Sequence, residues 1–485
     1  MYTRFPYNVY DSGGWRLEEP IMCGDNGTVI PGNASAHKDD WQTLNTTIQW
    51  LKHYAQNDET VKDDYKPFFV YQGMNIAHPT YRTNEYYYNQ IDPNKIQIPE
   101  WPPLEDIHPC DFQSSMLKGC IPPLNNATAR EYYYSKDRIR NIRRIYYAMI
   151  AEFDAMVGAY MQAVQDIGAW DNTIFVVTSD HGDLQMEHQQ MYKMVPYDAS
   201  SSVPLVISDG RRENGVGDLS SAHIVDTPTQ LIDIYPTIMD LAGVPIQYYP
   251  NDHLDGYSLV PFMTGSNSDK DMRQSHLQST ESLTHPDFVV SQFHGMNIAM
   301  SWFLIVRTMP CRARLASVRD TDANTTSMST CAMKLVVWGT GNEVDSQLFD
   351  LTQDPDEMVN LIHDTAYSNF KASLEQTLRT VVDYPKVALD VARYNKDSMK
   401  NWIDVMGEPD WRDGIHTKLR WDDNWNRDSH AAFQALEDWL NKPDEILPCR
   451  GDLVWPPPPP LQEMGSITLE WTTTLLLVTT LLPRI

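Results

Sequence analysis

The stretch from Thr173 to Asp183 constrains the fold more than any other part of the chain. Its first five residues, Thr173 to Val177, are β-branched or aromatic and are bounded by polar residues. A short apolar run of this kind predicts a buried strand of a parallel sheet, with Ser179 to Asp183 on the loop at its carboxyl end. Open α/β sheets place their chemistry at that edge. The stretch therefore predicts an α/β fold with a functional loop after this strand.

The loop and the segment after it carry three candidate site residues. Asp180 and His181 offer a carboxylate and an imidazole side by side, which suits a divalent cation if other segments supply further ligands. Lys193 adds a compact positive charge of the kind that meets an oxyanion as a point charge. A strand-ending Asp-His-Gly turn followed by a solvated lysine is the structural alternative for the same residues.

Composition excludes several classes of protein. The chain has 485 residues, a 42% hydrophobic content and a 21% charged content, which is the composition of a globular protein of two or three domains rather than a disordered one. Its formal net charge is −27, which argues against nucleic acid as a partner. An anionic substrate would need a local basic pocket within this acidic envelope.

Sequons and cysteines both indicate the secretory pathway. Acceptor sequons for N-glycosylation begin at Asn26, Asn33, Asn45, Asn126 and Asn324. The 6 cysteines predict local disulfides Cys110–Cys120 and Cys311–Cys331, which leave Cys23 and Cys449 as a long-range pair. Residues 1–6 contain no apolar signal-peptide core, so we expect a missing front end.

Hydrophobic periodicity predicts the elements around the loop. An amphipathic helix is predicted around Trp41 to Tyr54, and a longer one lies within Ala129 to Gly168. A strand over Lys66 to Tyr71 leads into a loop that contains His78, which on its own is more typical of a structural histidine. Residues 82–126 lack a sustained period and predict a long surface excursion.

The second half of the chain has a different pattern. Residues 288–308 and 334–351 alternate apolar and polar side chains, as half-buried antiparallel strands do. Residues 310–332 between them are predicted to be an inserted loop. A polyproline spacer at 456–460 precedes a Leu/Thr-rich run at 472–482, which is short for a membrane span and leaves a lipid anchor as an alternative.

Several of these strings resemble the sulfatase family. The resemblance rests on Ser179 to Asp183, Glu187-His188, Lys193 and Tyr197, and it extends to Asp233 to Thr237 and Leu348 to Leu351. It implies an alkaline-phosphatase-like sulfatase fold, with a large mixed sheet flanked by helices and a smaller C-terminal antiparallel-sheet domain. The corresponding domains are residues 1–264 (catalytic, N-terminally incomplete), 265–441 (C-terminal subdomain and extension) and 442–485 (Pro-rich spacer and weakly hydrophobic tail).

The resemblance also implies roles for individual residues. Asp180 and His181 correspond to ligands of a calcium ion, and His78 and Lys193 to contacts of the substrate sulfate. His294 is predicted to bind a substrate carboxylate, and a buried structural histidine is the alternative. The implied function is hydrolysis of aryl sulfates or of sulfated glycosaminoglycan uronates, in the lysosome or outside the cell.

The chain departs from the family pattern in its nucleophile. Sulfatases use a formylglycine that is made from a Cys or Ser in a Cys/Ser-x-Pro/Ala-Ser/Ala-x-Arg context, and no segment here fits that pattern. The nearest, Cys120 to Leu124, lacks both the small residue and the arginine. Further carboxylate ligands and a second sulfate-binding lysine are also absent. We therefore expect an incomplete copy of a working sulfatase; the alternative is an inactive relative that binds sulfated glycans or a partner protein.

Overall fold

The structure is a computed structural model that describes most of the folded chain. The described residues are 26–56, 67–103, 106–117, 120, 134–210, 224–244, 254–263, 285–294, 301–312, 328–407, 437, 440–443 and 475–481. The predictions that concern Cys23, Cys449, the sequons at Asn126 and Asn324, and the polyproline spacer lie outside these residues.

The described elements form two main sheets with helices packed against them. The strands are β1 (Thr28–Ile30), β2 (Phe69–Gln72), β3 (Arg82–Asn84), β4 (Thr173–Ser179), β5 (Leu184–Gln185), β6 (Met191–Tyr192), β7 (Leu205–Asp209), β8 (Phe288–Phe293), β9 (Trp302–Arg312), β10 (Met328–Trp338), β11 (Gln347–Asp350) and β12 (Leu475–Leu481). The helices are α1 (Lys38–Gln56), α2 (Glu85–Tyr88), α3 (Pro109–Leu117), α4 (Lys136–Asp166), α5 (Asp198–Ser201), α6 (Ile234–Leu241), α7 (Val260–Met263), α8 (Ser368–Val381) and α9 (Tyr384–Met406). The predicted α/β fold with a smaller C-terminal antiparallel sheet is confirmed.

The first sheet is mixed and has the strand order β2-β12-β4-β7. β12 pairs antiparallel with both β2 and β4, so β2 and β4 run in the same direction. β4 is the predicted strand, and its residues from Thr173 to Val176 are buried. The expectation of parallel neighbours is wrong, because β4 also pairs antiparallel with β7. A buried apolar run indicates that both faces of a strand are covered, and it carries no information about the direction of its neighbours.

The Leu/Thr-rich run near the C-terminus forms β12 in this sheet. Seven residues match the usual length of a strand, whereas a helix needs about 20 to cross a bilayer. In the described part of the chain, no helix has the length and apolar character that a membrane span requires.

The core under the first sheet is organised by α4, the long predicted helix. Ser135 caps its start by accepting a hydrogen bond from the Arg138 backbone N–H, and Gly168, with a φ of 72°, follows its end. The apolar stripe of α4 is buried against α1, whose Leu44 and Leu51 are fully buried. Both amphipathic helices are therefore confirmed.

The second sheet has the order β11-β10-β9-β8 with every pair antiparallel. Its apolar face packs against α8 through Leu374 and Leu378. The disulfide Cys311–Cys331 joins β9 to β10 with a Cα–Cα distance of 5.8 Å, as predicted. Cys110 and Cys120 are also disulfide-bonded. The two ends of the predicted loop at 310–332 are strand residues that extend β9 and β10, since Pro310 pairs with Thr330.

The prediction of a surface excursion over residues 82–126 is wrong for α3. Cys110, Asp111 and Ser114 are buried there, and the Asp111 carboxylate accepts a hydrogen bond from Tyr197 at 2.6 Å. A short helix with buried polar side chains has no apolar stripe, so hydrophobic periodicity does not detect it.

Candidate functional site

The loop after β4 presents Asp180 and His181 at the edge of the sheet. Asp180 Oδ1 accepts a hydrogen bond from the His181 backbone N–H at 3.0 Å, and Ser179 Oγ donates to the His181 carbonyl at 2.8 Å. His181 Nδ1 lies 2.9 Å from the Gly182 carbonyl. Because a carbonyl only accepts, Nδ1 carries the proton in this contact, and in the neutral ring Nε2 keeps its lone pair. Nε2 lies 3.6 Å from Asp180 Oδ2.

Gly182 allows this loop to approach α5 closely. A Cβ atom at Gly182 would lie 2.2 Å from the Ala199 carbonyl oxygen, well inside contact distance. The Gly182 N–H also donates to the Ser200 carbonyl at 2.8 Å. The residue after His181 must therefore be glycine for the loop to keep this position.

His78 lies on the loop that follows β2, as predicted. Asp40 of α1 holds the start of this loop, because its two carboxylate oxygens accept from the Asn75 and Ile76 N–H groups at 2.8 and 2.9 Å. His78 Nδ1 lies 2.6 Å from the Pro79 carbonyl and so carries the proton. The Asp40 anchor was missed in the sequence because its partners lie more than 30 positions along the chain.

Electrostatics join His78, His181 and Lys193 into one group. Burial, the positive charge of Lys193 and the neighbouring His181 together lower the pKa of His78 to about 4, although the contact with the Pro79 carbonyl opposes them. Burial and Lys193 also lower the pKa of His181, which Asp180 partly opposes. Both shifts favour the neutral imidazole, and both rings lie within the field of the same ammonium group.

Lys193 lies on a segment with an unusual backbone. Non-glycine residues with left-handed φ values are concentrated there: Met186 (78°), His188 (49°), Gln189 (55°), Tyr192 (69°) and Met194 (82°). Such residues are uncommon and cost about 1–3 kcal/mol each, so they persist only where their surroundings hold them. Two indoles do so here, since Trp101 Nε1 donates to the Met186 carbonyl at 2.6 Å and Trp302 Nε1 donates to the Met194 carbonyl at 3.1 Å.

Tyr81 connects the three segments of the site. This fully buried residue follows His78 by three positions, and its hydroxyl donates to Asp183 Oδ1 at 3.0 Å. Its ring packs edge-on against Tyr192, next to Lys193, with centroids 5.7 Å apart. Sequence reasoning missed Tyr81, although its position beside the His-Pro string was a usable signal.

His294 lies at the end of β8, in the second sheet. Its Nδ1 lies 2.9 Å from Ser301 Oγ, and its ring packs edge-on against Phe303. Neither of these contacts is with His78, His181 or Lys193. The carboxylate role of His294 stays a prediction.

Asp180 and His181 fit part of a cation site. The neutral His181 ring donates through Nδ1 to a backbone carbonyl, which is the usual outer contact of a metal-binding histidine. Within the described ranges, however, no group of three or more His, Cys, Asp or Glu residues is placed to hold a metal ion. Calcium prefers six to eight oxygen ligands. The described residues therefore do not by themselves form a calcium site.

Comparison with known proteins identifies the family. The sulfatase family model matches residues 18–244. Arylsulfatase K of Danio rerio is 31% identical over 445 residues, covering 88% of this chain and 73% of that protein, and arylsulfatase K of Xenopus laevis is 32% identical with 88% and 72% coverage. The chain belongs to the sulfatase family.

The match to some relatives is shorter. Arylsulfatase K of Bos taurus is 33% identical over 414 residues, which are 83% of this chain, and the chain spans 65% of the length of that relative. Among solved structures, a phosphonate monoester hydrolase of Agrobacterium radiobacter has a TM-score of 0.45 and 23% identity, with 70% of this chain and 59% of that chain covered.

Proposed function

We propose that the protein is a sulfuric ester hydrolase whose sulfate group binds between His78 and Lys193. The observation that carries this proposal is the shared electrostatic field of Lys193 at His78 and His181. A segment with several left-handed residues holds Lys193 beside these imidazoles. Strained backbone of this kind is characteristic of functional sites.

The chemistry of the group suits a sulfate ester. Lys193 supplies a positive charge for the sulfate oxygens. His78 Nδ1 is engaged with the Pro79 carbonyl, so Nε2 is the ring atom that would face the ligand. In the free protein, above about pH 4, Nε2 of His78 is unprotonated and can only accept a hydrogen bond. A bound anion would raise the pKa of His78, so that Nε2 gains a proton and becomes a donor. Binding should therefore take up a proton and strengthen at acidic pH.

For the whole protein, we also propose a formylglycine nucleophile and a calcium ion. A formylglycine, as implied by family membership, would supply the attacking oxygen, and no segment of the printed sequence has the pattern from which it is made. Calcium would neutralise charge on the sulfate, with Asp180 and His181 as two of its ligands. The roles derived for His78 and Lys193 do not depend on either group.

We further propose a substrate and a location. A sulfated glycosaminoglycan uronate is the substrate class that the resemblance to arylsulfatase K supports. The Cys311–Cys331 disulfide supports an oxidising compartment, so we propose the lysosome or the extracellular space.

The test measures sulfate binding and turnover separately. Isothermal titration with sulfate at pH 5.5 should detect binding by the 485-residue chain, and Lys193→Met should weaken it roughly ten- to hundredfold, as expected for a bond to a charged group. Lys400→Met, on the exposed face of α9, is the matched control. Unchanged affinity in Lys193→Met would refute the proposed sulfate site.

A second candidate is a sulfate-binding protein without turnover. The proposed contacts of His78 and Lys193 suit this candidate as well, because binding needs no nucleophile. Assay with 4-nitrophenyl sulfate distinguishes the two, since hydrolysis that disappears in Lys193→Met supports the enzyme. Binding without hydrolysis supports the second candidate.

A further inference from the structure

A cavity lies between α3 and the second sheet, apart from the residues of the proposed sulfate site. Its volume is about 460 Å³, which is within the range of small-molecule sites. Its wall includes His188 and Tyr197 on one side and residues 344–363 on the other. None of the four proposed sulfate and cation ligands lines it.

Three residues of the cavity wall, Tyr197, Gln347 and His108, donate hydrogen bonds to neighbouring protein groups. Tyr197 Oη donates to Asp111 Oδ2 at 2.6 Å, and Gln347 Nε2 donates to the same oxygen at 3.0 Å. His108 Nδ1 accepts from the Cys110 N–H at 3.3 Å, so Nε2 carries the proton that is donated to the Asp345 carbonyl at 2.8 Å. The donors of these three residues are therefore already engaged with protein acceptors.

Asp111 supplies a buried acceptor. The residue is 1% exposed, and among the described residues its Oδ1 has no hydrogen-bond partner. A buried carboxylate oxygen without a partner is costly, and the described side chains around Asp111 do not provide a donor for it.

The charged and apolar side chains of the cavity wall indicate which kind of ligand could supply that donor. Asp106, Asp111, Asp345 and Glu357 all line the cavity, and no lysine or arginine does in the described residues. Lys334, which contacts Glu357 at 2.6 Å, neutralises that carboxylate from behind the wall. Apolar side chains complete the lining, namely Ile107, Val344, Phe349 and Met358. The site therefore suits a donor-rich cation that also has an aliphatic part.

We propose that this cavity binds a small organic amine, with its ammonium group at Asp111 and its aliphatic stem against the apolar wall. The ammonium group provides both the donor for Oδ1 and the charge for the acidic lining. This site takes a ligand of opposite charge to a sulfate ester, so it is independent of the proposed function.

The experiment uses n-butylammonium as the probe and n-butanol, its neutral counterpart of equal length, as the control. Titration of the full chain at pH 7.5 should detect saturable binding of butylammonium. Its Kd should be at least tenfold lower than any Kd measured for butanol. Asp111→Asn should weaken the ammonium at least tenfold, because the amide can still accept from Tyr197 and Gln347 while it places a donor at the former Oδ1. Asp39→Asn, the same charge change on the exposed start of α1, should leave it unchanged.

A second variant keeps the test decisive if Asp111→Asn fails to fold. Met358→Trp fills the cavity from its half-buried wall and should abolish ammonium binding. Equal responses to butylammonium and butanol would show that the site does not recognise the ammonium charge and would overturn the proposal. Unchanged binding in Met358→Trp, or in folded Asp111→Asn, would place the amine elsewhere and would also overturn it.

Discussion

Lys193 and Lys334 are two lysines in adjoining regions with different environments. Lys334 of β10 is fully buried, and its ammonium contacts Asp198 at 2.8 Å and Glu357 at 2.6 Å. Lys193 is half-buried and lies in the electrostatic environment of two imidazoles. The comparison indicates that a fully buried lysine in contact with two carboxylates holds two parts of the fold together, whereas the half-buried Lys193 is partly open to solvent and to a ligand.

The helix α5 joins these two regions. Its first residue, Asp198, reaches the Lys334 ammonium, and its Ser200 carbonyl accepts from Gly182 in the site loop. The second sheet therefore supports the Asp180–Asp183 loop through a helix of only four residues. Variants of Lys334 at one end of this connection and of Gly182 at the other test whether the stability of the fold and the binding of sulfate can be changed separately.

The largest change in the free energy of unfolding is expected when the Lys334 ammonium is removed. Lys334→Met removes the buried ammonium that contacts both Asp198 and Glu357, and we expect about 3–5 kcal/mol of destabilisation at pH 7.5, including the free energy of protonating Glu357. Lys193→Met should cost less than about 1 kcal/mol, because Lys193 is only partly buried. Urea denaturation of both variants measures the difference. Equal losses of stability would remove the proposed distinction between the two lysines.

The second effect is a pH dependence from the same cluster. Burial raises the pKa of Glu357 to about 7, against 4.5 for an ordinary glutamate, and Lys334 only partly opposes this. The folded state therefore binds the proton more tightly, so the contribution is complete below about pH 4.5 and is lost as pH rises through about 7. Its full size is on the order of 3 kcal/mol.

Glu357→Gln should remove this component of the pH profile between pH 4.5 and 7.5. Glu100→Gln, at an exposed position, should leave the profile as it is in the parent protein. Thermal unfolding across this pH range provides the measurement, and a parent profile that persists in Glu357→Gln would assign the titration to another group.

The third effect concerns the support of the site loop by α5. Gly182→Ala places a methyl group 2.2 Å from the Ala199 carbonyl oxygen, and we expect about 2–3 kcal/mol of destabilisation together with weaker sulfate binding. Gly158→Ala within α4 is the matched control, since its new methyl group meets nothing within 4 Å. It should stabilise the protein by roughly 0.5–1 kcal/mol. A Gly182→Ala protein as stable as its parent would show that the loop does not depend on its contact with α5.

The smallest effect is that of one hydroxyl group. Tyr81→Phe removes the hydrogen bond to Asp183 and keeps the ring against Tyr192, so we expect a loss of about 1 kcal/mol. A double-mutant cycle with Asp183→Asn isolates the pair and should give a coupling energy of similar size. Strictly additive losses would indicate that Tyr81 supports the site through its ring alone.

The sequence predicted the elements whose signals are local. α4 and β4 follow from periodicity and from a bounded apolar run, and both form as predicted. The Lys334 cluster was not predictable in this way, because Lys334 and Asp198 are 136 positions apart. The left-handed backbone at Tyr192 and Met194 was also not predictable, since neither residue favours that conformation. Tertiary contacts impose it, and they are not visible in a local window.

The disulfide in the hairpin of β9 and β10 determines how this part of the second sheet can open. The register of the hairpin runs without interruption from the pair Trp302 and Trp338 to the pair Arg312 and Met328, and Cys311–Cys331 fastens it near the far end. The covalent bond holds the two strands together near the end of the hairpin that includes Arg312 and Met328. When the hydrogen bonds at this end open, the two strands therefore stay close together, and the pairing that packs against α8 can re-form without a new search for its register.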